Sequence, residues 1–197
     1  MRAGTLHLAK PGAPDCSKAV KFLAALALPL YVLDQITKWW IYTHFALIPT
    51  RHNVERFPDV VEKTAHLPEV WEVIPGWFEV VHWANTGAAF SIGSGNNGFF
   101  IGLSLVALVA LLIAWKKNVF PDRLSQWAIG LIAAGILGNV TDRIVHGYVV
   151  DFVLVNLHVK FADPWPAFNV ADSCIFIAAA LFIIAGIRDA RVPKKES

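Results

Sequence analysis

The sequence predicts a membrane protein with an all-α core, in which four transmembrane helices carry a small extracytoplasmic β-rich platform. Three observations predict this fold. The 197 residues are 56% hydrophobic and only 16% charged, with a mean hydropathy of +0.52, which is unusual for a soluble domain. The apolar residues gather into four runs, each near the minimum length that crosses a bilayer. Lys and Arg collect beside these runs. The whole chain, residues 1–197, is therefore interpreted as one integral membrane domain.

The four predicted spans cover about 22–41, 98–115, 127–144 and 172–187. A cleaved signal peptide is the alternative for the first run, because lysines precede its short apolar core. No small-residue cleavage site follows, and the run continues through two tryptophans. We therefore interpret it as a retained helix.

Charge placement predicts the orientation of these spans. Eleven of the 17 Lys and Arg residues lie in the segments 1–21, 116–126 and 188–197. Four spans place these segments on one side, and the positive-inside rule makes that side cytoplasmic. Both termini are then cytoplasmic, and residues 42–97 and 145–171 lie outside. Within the first outer segment, residues 73–85 are rich in Val, Trp and Phe and are interpreted as strand, with turn residues Pro75 and Gly76 near its start.

Polar side chains are concentrated near the outer ends of the spans. Asp34, Asn139 and Asp142 each lie roughly 18–22 Å along a helix from its cytoplasmic end, at about 1.5 Å per residue. Asp172 begins the last span, and Asn139, Asp142 and Arg143 share one helix face. Ionisable groups within apolar segments are costly to place, so their convergence predicts a functional site.

Asp151 and Asp172 are the strongest catalytic candidates. Asp151 lies in the strand-like run YVVDFV, and Asp172 lies in FNVADS at a helix start. Two neighbouring carboxylates share a proton, so one can act as a base and the other as an acid. Alternatives remain, since Asp172 can cap its helix and Asp151 can be a solvated turn residue.

Five short motifs in the chain resemble those of a known family. The runs DQITK (34–38), NTGAAFS (85–91), GNVTDR (138–143), DF (151–152) and FNVADS (168–173) resemble, in order and spacing, those of lipoprotein signal peptidases (signal peptidase II). That resemblance implies a membrane aspartic protease with Asp151 and Asp172 as its catalytic pair. Its substrates would be prolipoproteins that carry a diacylglyceryl group. Relative to the family, residues 49–70 resemble an insertion on the outer side, and their prolines and charges predict a surface excursion.

The resemblance also implies supporting roles for neighbouring residues. Asn85, Asn139, Arg143 and Asn169 match positions that line the site and hold substrate backbone. Gly87 is expected to permit a tight turn. Asp142 either orients Arg143 or caps its helix. Asp34 and Lys38 are interpreted as a structural ion pair in preference to a catalytic pair.

The expected setting is the bacterial cytoplasmic (inner) membrane, with the active site near the outer face. The expected partners are a lipid-modified prolipoprotein and membrane lipids. Neither a cofactor nor a metal is expected, and His82, His146 and His158 have no ligand spacing. A net charge of +2 with scattered Lys and Arg indicates no nucleic-acid partner, and we expect a monomer.

Two alternatives stay open: a metal-dependent lipid-modifying enzyme that uses Asp142, Asp151, Asp163 and Asp172 as ligands, and a proton-coupled transporter.

Overall fold

A computed structural model describes residues 16–88, 92–160 and 163–191 of the chain. Six helices and four strands follow in the order α1 (Cys16–His44), α2 (Arg51–Arg56), α3 (Pro58–Thr64), β1 (Val70–Ile74), β2 (Phe78–Asn85), α4 (Asn97–Lys116), α5 (Arg123–Val145), β3 (Val149–Val155), β4 (Trp165–Phe168) and α6 (Val170–Ala190). The protein is therefore mostly helical with a small sheet.

Three of the described helices, α4, α5 and α6, are long and apolar enough to cross a membrane. They correspond to the predicted spans 98–115, 127–144 and 172–187. Phe99, Leu103 and Val106 of α4 are each more than half exposed, a surface that a bilayer would cover. The helix α1 contains the first predicted run and also carries Asp34 and Lys38, so a count of four spans stays a prediction.

The helix α5 is the centre of the helical part. It packs against α1, α4 and α6, whereas α1 touches α6 less extensively. Asp122 caps its start by accepting a hydrogen bond from the Ser125 backbone N–H at 3.0 Å. A capping acid fixes where a helix begins, and α5 thus starts at Arg123, one turn before the predicted boundary at residue 127.

The four strands form one antiparallel sheet in the order β1-β2-β3-β4. Residues 73–85 are predicted as strand with turn residues Pro75 and Gly76 near the start, and a turn lies there: Gly76 has a φ of +74°, and the Trp77 N–H donates to the Ile74 carbonyl at 2.9 Å. The left-handed backbone at Gly76 ends β1 and reverses the chain into β2. In the next pair, Trp83 stands opposite Asp151 and Asn85 opposite Val149. The sheet thereby brings two predicted site residues onto neighbouring strands.

The segment 49–70 is helical and lies largely at the surface. Most of it forms α2 and α3, in which Asn53 and Thr64 are buried. Phe57 lies between the two helices and packs with residues of α3 against a core cluster made of Ile41, Phe45, Leu47, Val80, Ala84, Tyr148 and Val150. An apolar side chain placed against the core stabilises by its burial. Most residues of the segment are exposed, and Phe57, Asn53 and Thr64 attach it to the core. Its assignment as an insertion stays a prediction.

Candidate active site

Asp151 is held on both of its carboxylate oxygens. Its side chain is 1% exposed in β3. The amide Nδ2 of Asn169 donates to Oδ1 at 2.7 Å, and the amide Nδ2 of Asn85 donates to Oδ2 at 2.9 Å. Burial raises the pKa of Asp151 well above its ordinary value, and the charge of Asp172 adds to that rise. The proton-bound form of Asp151 is thus favoured by its surroundings.

Asp172 lies at the third position of α6 and forms a capping box with Asn169. Asn169 is the N-cap: its side chain accepts from the Asp172 N–H at 2.9 Å, while Asp172 Oδ2 accepts from the Asn169 N–H at 3.2 Å. The alternative that Asp172 itself is the N-cap is therefore wrong. A capping box satisfies two helix-end donors and fixes the carboxylate. Its other oxygen, Oδ1, accepts from the Asn139 amide at 2.8 Å.

Asn169 connects the two acids. The same amide nitrogen that donates to Asp151 lies 3.2 Å from Asn139 Oδ1, and Asn139 in turn donates to Asp172. Asn169 is 1% exposed, so no water competes for these bonds. Both aspartates line one cavity of about 1090 Å³, together with Asn85, Asn139 and Arg143.

A buried ion cluster lies behind this pair. Lys38 of α1 is 2% exposed, and its Nζ contacts Asp34 Oδ2 and Asp142 Oδ2 at 2.9 Å each, and Asn139 Oδ1 at 3.0 Å. Gln35 donates from Nε2 to the same two acids at 3.1 and 3.2 Å. Asp142 therefore pairs with Lys38 and, among the described contacts, not with Arg143, which corrects one of the roles considered for it.

Each acid of the cluster also holds the backbone just before one aspartate of the pair. Asp142 Oδ2 accepts from the Val150 N–H at 3.0 Å, and Asp34 Oδ1 accepts from the Ala171 N–H at 2.8 Å. A Cβ on Gly138 would overlap the Asp34 carboxylate, so glycine is required for this approach. The cluster thus connects Lys38 to the backbone immediately before Asp151 and before Asp172.

Arg143 also lines the cavity and is anchored to the chain that follows β2. Its Nη2 donates to the Gly87 carbonyl at 2.8 Å, and its guanidinium lies 5.5 Å from the ring centroid of Phe100. Its Nε, although buried, finds no acceptor among the described residues. Asn97 donates to the Arg143 carbonyl at 2.9 Å. A turn closes beside this contact, where the Gly87 N–H donates to Asn85 Oδ1 at 3.0 Å, an arrangement common for asparagine.

Asn97, Phe100 and Gln35 were missed as site residues by the sequence analysis. Gln35 lies inside the predicted motif DQITK, where its position beside Asp34 could have indicated it. Asn97 and Phe100 stand at the start of a helix with no marker of a polar site, so only their proximity to Arg143 in space reveals them.

The remaining walls of the cavity are mostly apolar, and they come from strands β2, β3 and β4 and from helices α4, α5 and α6. The helical part of the lining includes Phe100, Ser104, Ile136, Ile175, Phe176 and Ala179. Because α4 and α6 both pack against α5, the cavity extends from the polar site along the faces of the membrane helices. Such a shape can hold an extended apolar ligand with one polar end at the aspartates.

Asp163 lies outside this arrangement. It lies 3.6 Å from the His158 ring and is absent from the cavity lining. Within the described ranges, no three His, Cys, Asp or Glu side chains are grouped closely enough to hold a metal ion. The four-aspartate ligand set considered for a metal enzyme is therefore not assembled, because Asp142 and Asp163 point to other partners.

Comparisons with known proteins agree with these features. A family model described as signal peptidase (SPase) II matches residues 26–188. The chain is 34% identical over 165 residues to the lipoprotein signal peptidase of Staphylococcus haemolyticus, covering 84% of this chain and 90% of that one. It is 38% identical over 141 residues to the same enzyme of Geobacter metallireducens, covering 70% and 85%. A bacterial membrane enzyme solved by the in meso method at 2.3 Å is similar with a TM-score of 0.68 and 29% identity, covering 90% of this chain and 95% of that one.

Proposed function

Because this chain belongs to the signal peptidase II family, we propose that it removes the signal peptide from diacylglyceryl-modified prolipoproteins and that Asp151 and Asp172 activate the attacking water. The family is one of proteases. Family membership together with three described helices that are long and apolar enough to cross a membrane supports a bacterial membrane protein. The observation that carries the aspartate mechanism is the chain of hydrogen bonds in which the Asn169 amide donates to Asp151 and to Asn139, whose own amide donates to Asp172. It connects acids from a strand and a helix at the polar end of one apolar cavity.

The roles of the two acids follow from their surroundings. Burial and the neighbouring charge favour the proton on Asp151, so Asp172 serves as the base. Asp172 removes a proton from water, whose oxygen attacks the scissile carbonyl carbon, while Asp151 gives its proton to the carbonyl oxygen. The resulting diol collapses when Asp172 passes its proton to the leaving amine and a diol hydroxyl returns one to Asp151. One water is consumed, and both acids recover their starting states.

Arg143 and Asn85 position the substrate and the acid in this scheme. The Arg143 Nε is a buried donor without an acceptor in the described chain, and a substrate carbonyl in the cavity would satisfy it. Asn85 holds Asp151 from the side opposite Asn169. The apolar walls between α4 and α6 would accept the signal helix and the acyl chains from the bilayer. The buried cluster of Asp34, Lys38 and Asp142 supports both aspartates through their backbones and takes no part in proton transfer.

The proposed setting is the inner membrane, with both termini in the cytoplasm and the site near the outer face. The charge distribution of the loops supports this orientation. A monomer contains every residue of the scheme, and the net charge of +2 supports no nucleic-acid partner.

The test is cleavage of a synthetic diacylglyceryl-modified precursor by purified protein in detergent or lipid. Wild type should cleave it equally well with excess EDTA, because the two acids need no metal. Loss of cleavage in EDTA that added Mg²⁺ or Zn²⁺ restores would overturn the mechanism in favour of a metal enzyme. Failure of well-folded wild type to cleave any lipidated precursor would overturn the function itself.

Substitutions separate the pair from its neighbours. Asp151→Asn and Asp172→Asn should each lower kcat by about a thousandfold or more, and the double variant should be hardly worse, because groups that act as a unit give non-additive losses. Asp163→Asn is the matched control, since this acid lies outside the cavity, and it should retain wild-type turnover. Substantial activity in either single variant, or losses that multiply, would show that the two acids do not act together.

A further inference from the structure

The helices α2 and α3 form a unit beside the active site without lining its cavity. The Thr50 side chain caps α2 by accepting from the Asn53 N–H at 3.1 Å. Asn53, 2% exposed, donates from its amide to the Ile48 carbonyl at 2.7 Å. Thr64 of α3 accepts from the Leu47 N–H at 3.0 Å. Both ends of the unit are therefore fixed to the chain that leaves α1.

This unit contacts the strand that carries Asp151. The ring of Phe57 lies 4.7 Å from the ring of Tyr148, which stands immediately before β3. Tyr148 is fully buried, and its hydroxyl lies 3.2 Å from His82 Nε2. Buried aromatic pairs add to the stability gained from burial alone. The unit is thus packed against the backbone segment that leads into Asp151.

The second contact reaches the backbone that follows β2. Arg56 of α2 donates from Nη2 to the Gly95 carbonyl at 3.1 Å. The Gly95 N–H donates to Thr86 Oγ1 at 3.1 Å, and His52 Nε2 lies 3.2 Å from the same oxygen. Gly95 has a φ of +95°, so its backbone adopts a conformation that favours glycine. Both backbone polar groups of Gly95 are engaged in this way.

Thr86 stands between two residues of the active site. It is 2% exposed. Asn85, its predecessor, donates to Asp151, and Gly87, its successor, accepts from Arg143. A shift of Thr86 would therefore move both neighbours together: Asn85, which donates to Asp151, and Gly87, which accepts from Arg143.

We propose that His52, Arg56 and Thr86 form a positioning brace, through which α2 sets the geometry of Asn85 and Gly87 for catalysis. The brace touches neither substrate nor reacting atoms, so these three residues are positioning residues. The proposal rests on the proposed function, because its effect is measured as cleavage. It assigns the segment 49–70, which the family resemblance marks as an insertion, a role in turnover.

The test compares Arg56→Ala and Thr86→Val with Arg51→Ala in the full-length protein. Arg51 lies on the same helix, is exposed, and pairs only with Glu55 among the described ion pairs. We expect kcat to fall by about fivefold to tenfold in Arg56→Ala and in Thr86→Val, the effect of losing one or two ordinary hydrogen bonds. Arg51→Ala should match wild type. Because both variants act through Gly95, the double variant should lose less than the product of the single losses.

Two further measurements separate positioning from simple loss of structure. The melting temperature of Arg56→Ala should stay close to that of Arg51→Ala, and Arg56→Lys should recover part of kcat, because an ammonium can also donate to Gly95. Wild-type kcat in Arg56→Ala and Thr86→Val, with wild type cleaving normally, would overturn the brace and leave the proposed function intact. The brace would also be overturned if Arg56→Ala and Thr86→Val melted well below Arg51→Ala and if their losses of kcat multiplied in the double variant.

Discussion

Replacing Lys38 with methionine is the sharpest perturbation of this structure. Methionine keeps the length of the side chain and removes its charge. Lys38 is the one cation in contact with two buried acids, Asp34 and Asp142, among the described ion pairs, at 2.9 Å each. Without it, two carboxylates remain close together, with Gln35 Nε2 as the donor they share. The buried site then changes from one net negative charge to two.

The expected loss can be estimated from this geometry. Removing one partner of a buried ion pair costs about 3–5 kcal/mol, because the remaining charge is left uncompensated. Lys38 is 2% exposed and serves two acids, so we expect the upper part of that range. Asp34→Asn leaves the pair of Lys38 and Asp142 intact and should cost less, about 1–3 kcal/mol. Adding Asp142→Asn to Lys38→Met removes one of the stranded charges and should restore part of the loss.

Denaturant unfolding in detergent, followed by tryptophan fluorescence, measures these differences. Arg51→Met is the matched control, since it breaks an exposed ion pair with Glu55 and should leave the unfolding free energy unchanged within error. A loss below about 1 kcal/mol for Lys38→Met, or a double variant less stable than the single one, would refute the reasoning that the cluster is held by charge compensation.

Three further outcomes are expected. Arg143→Lys should lower kcat/KM by about tenfold to a hundredfold in the precursor assay, because lysine keeps the charge but cannot bond Gly87 and a substrate carbonyl with one planar fork; near-wild-type cleavage would show that charge alone suffices. Gly138→Ala should reduce both folded yield and turnover, since its Cβ would overlap the Asp34 carboxylate, and an unaltered melting temperature would contradict the close approach. Asp151→Asn should abolish turnover yet flatten the pH dependence of stability. The raised pKa of Asp151 means that the folded state holds its proton more tightly than the unfolded state, so the wild-type unfolding free energy should fall as pH rises from the ordinary aspartate range through the raised pKa. Unfolding titrations that coincide for wild type and Asp151→Asn would refute this assignment.

The local features of the chain were predictable because they depend on short-range geometry. Helical spacing alone places Asp34 beside Lys38 and puts Asn139, Asp142 and Arg143 on one face, and those side chains do lie together at the cavity or directly behind it. The apolar runs likewise predicted α4, α5 and α6, since span length is set by the bilayer. The strand-like run around Asp151 was predicted as well.

Contacts between distant segments were not predictable in the same way. Asp142 pairs with Lys38, 104 positions earlier in the chain, because the packing of α1 against α5 brings them to 2.9 Å; nothing in the local pattern distinguishes that partner from Arg143. The packing of Phe57 was not predicted for a related reason, since Pro and charged residues mark a polar stretch without saying which of its apolar side chains meet the core.

The sequence by itself determined the family, the apolar helices and the identity of the polar residues near their ends, because each depends on residue type and on spacing within one element. Only the tertiary structure decided how those residues are connected. It joined Asp151 to Asp172 through Asn169 and tied Thr86 to α2 through Gly95. The physical reason is that a hydrogen bond needs its two atoms within about 3 Å, and that distance is set by the packing of whole helices and strands.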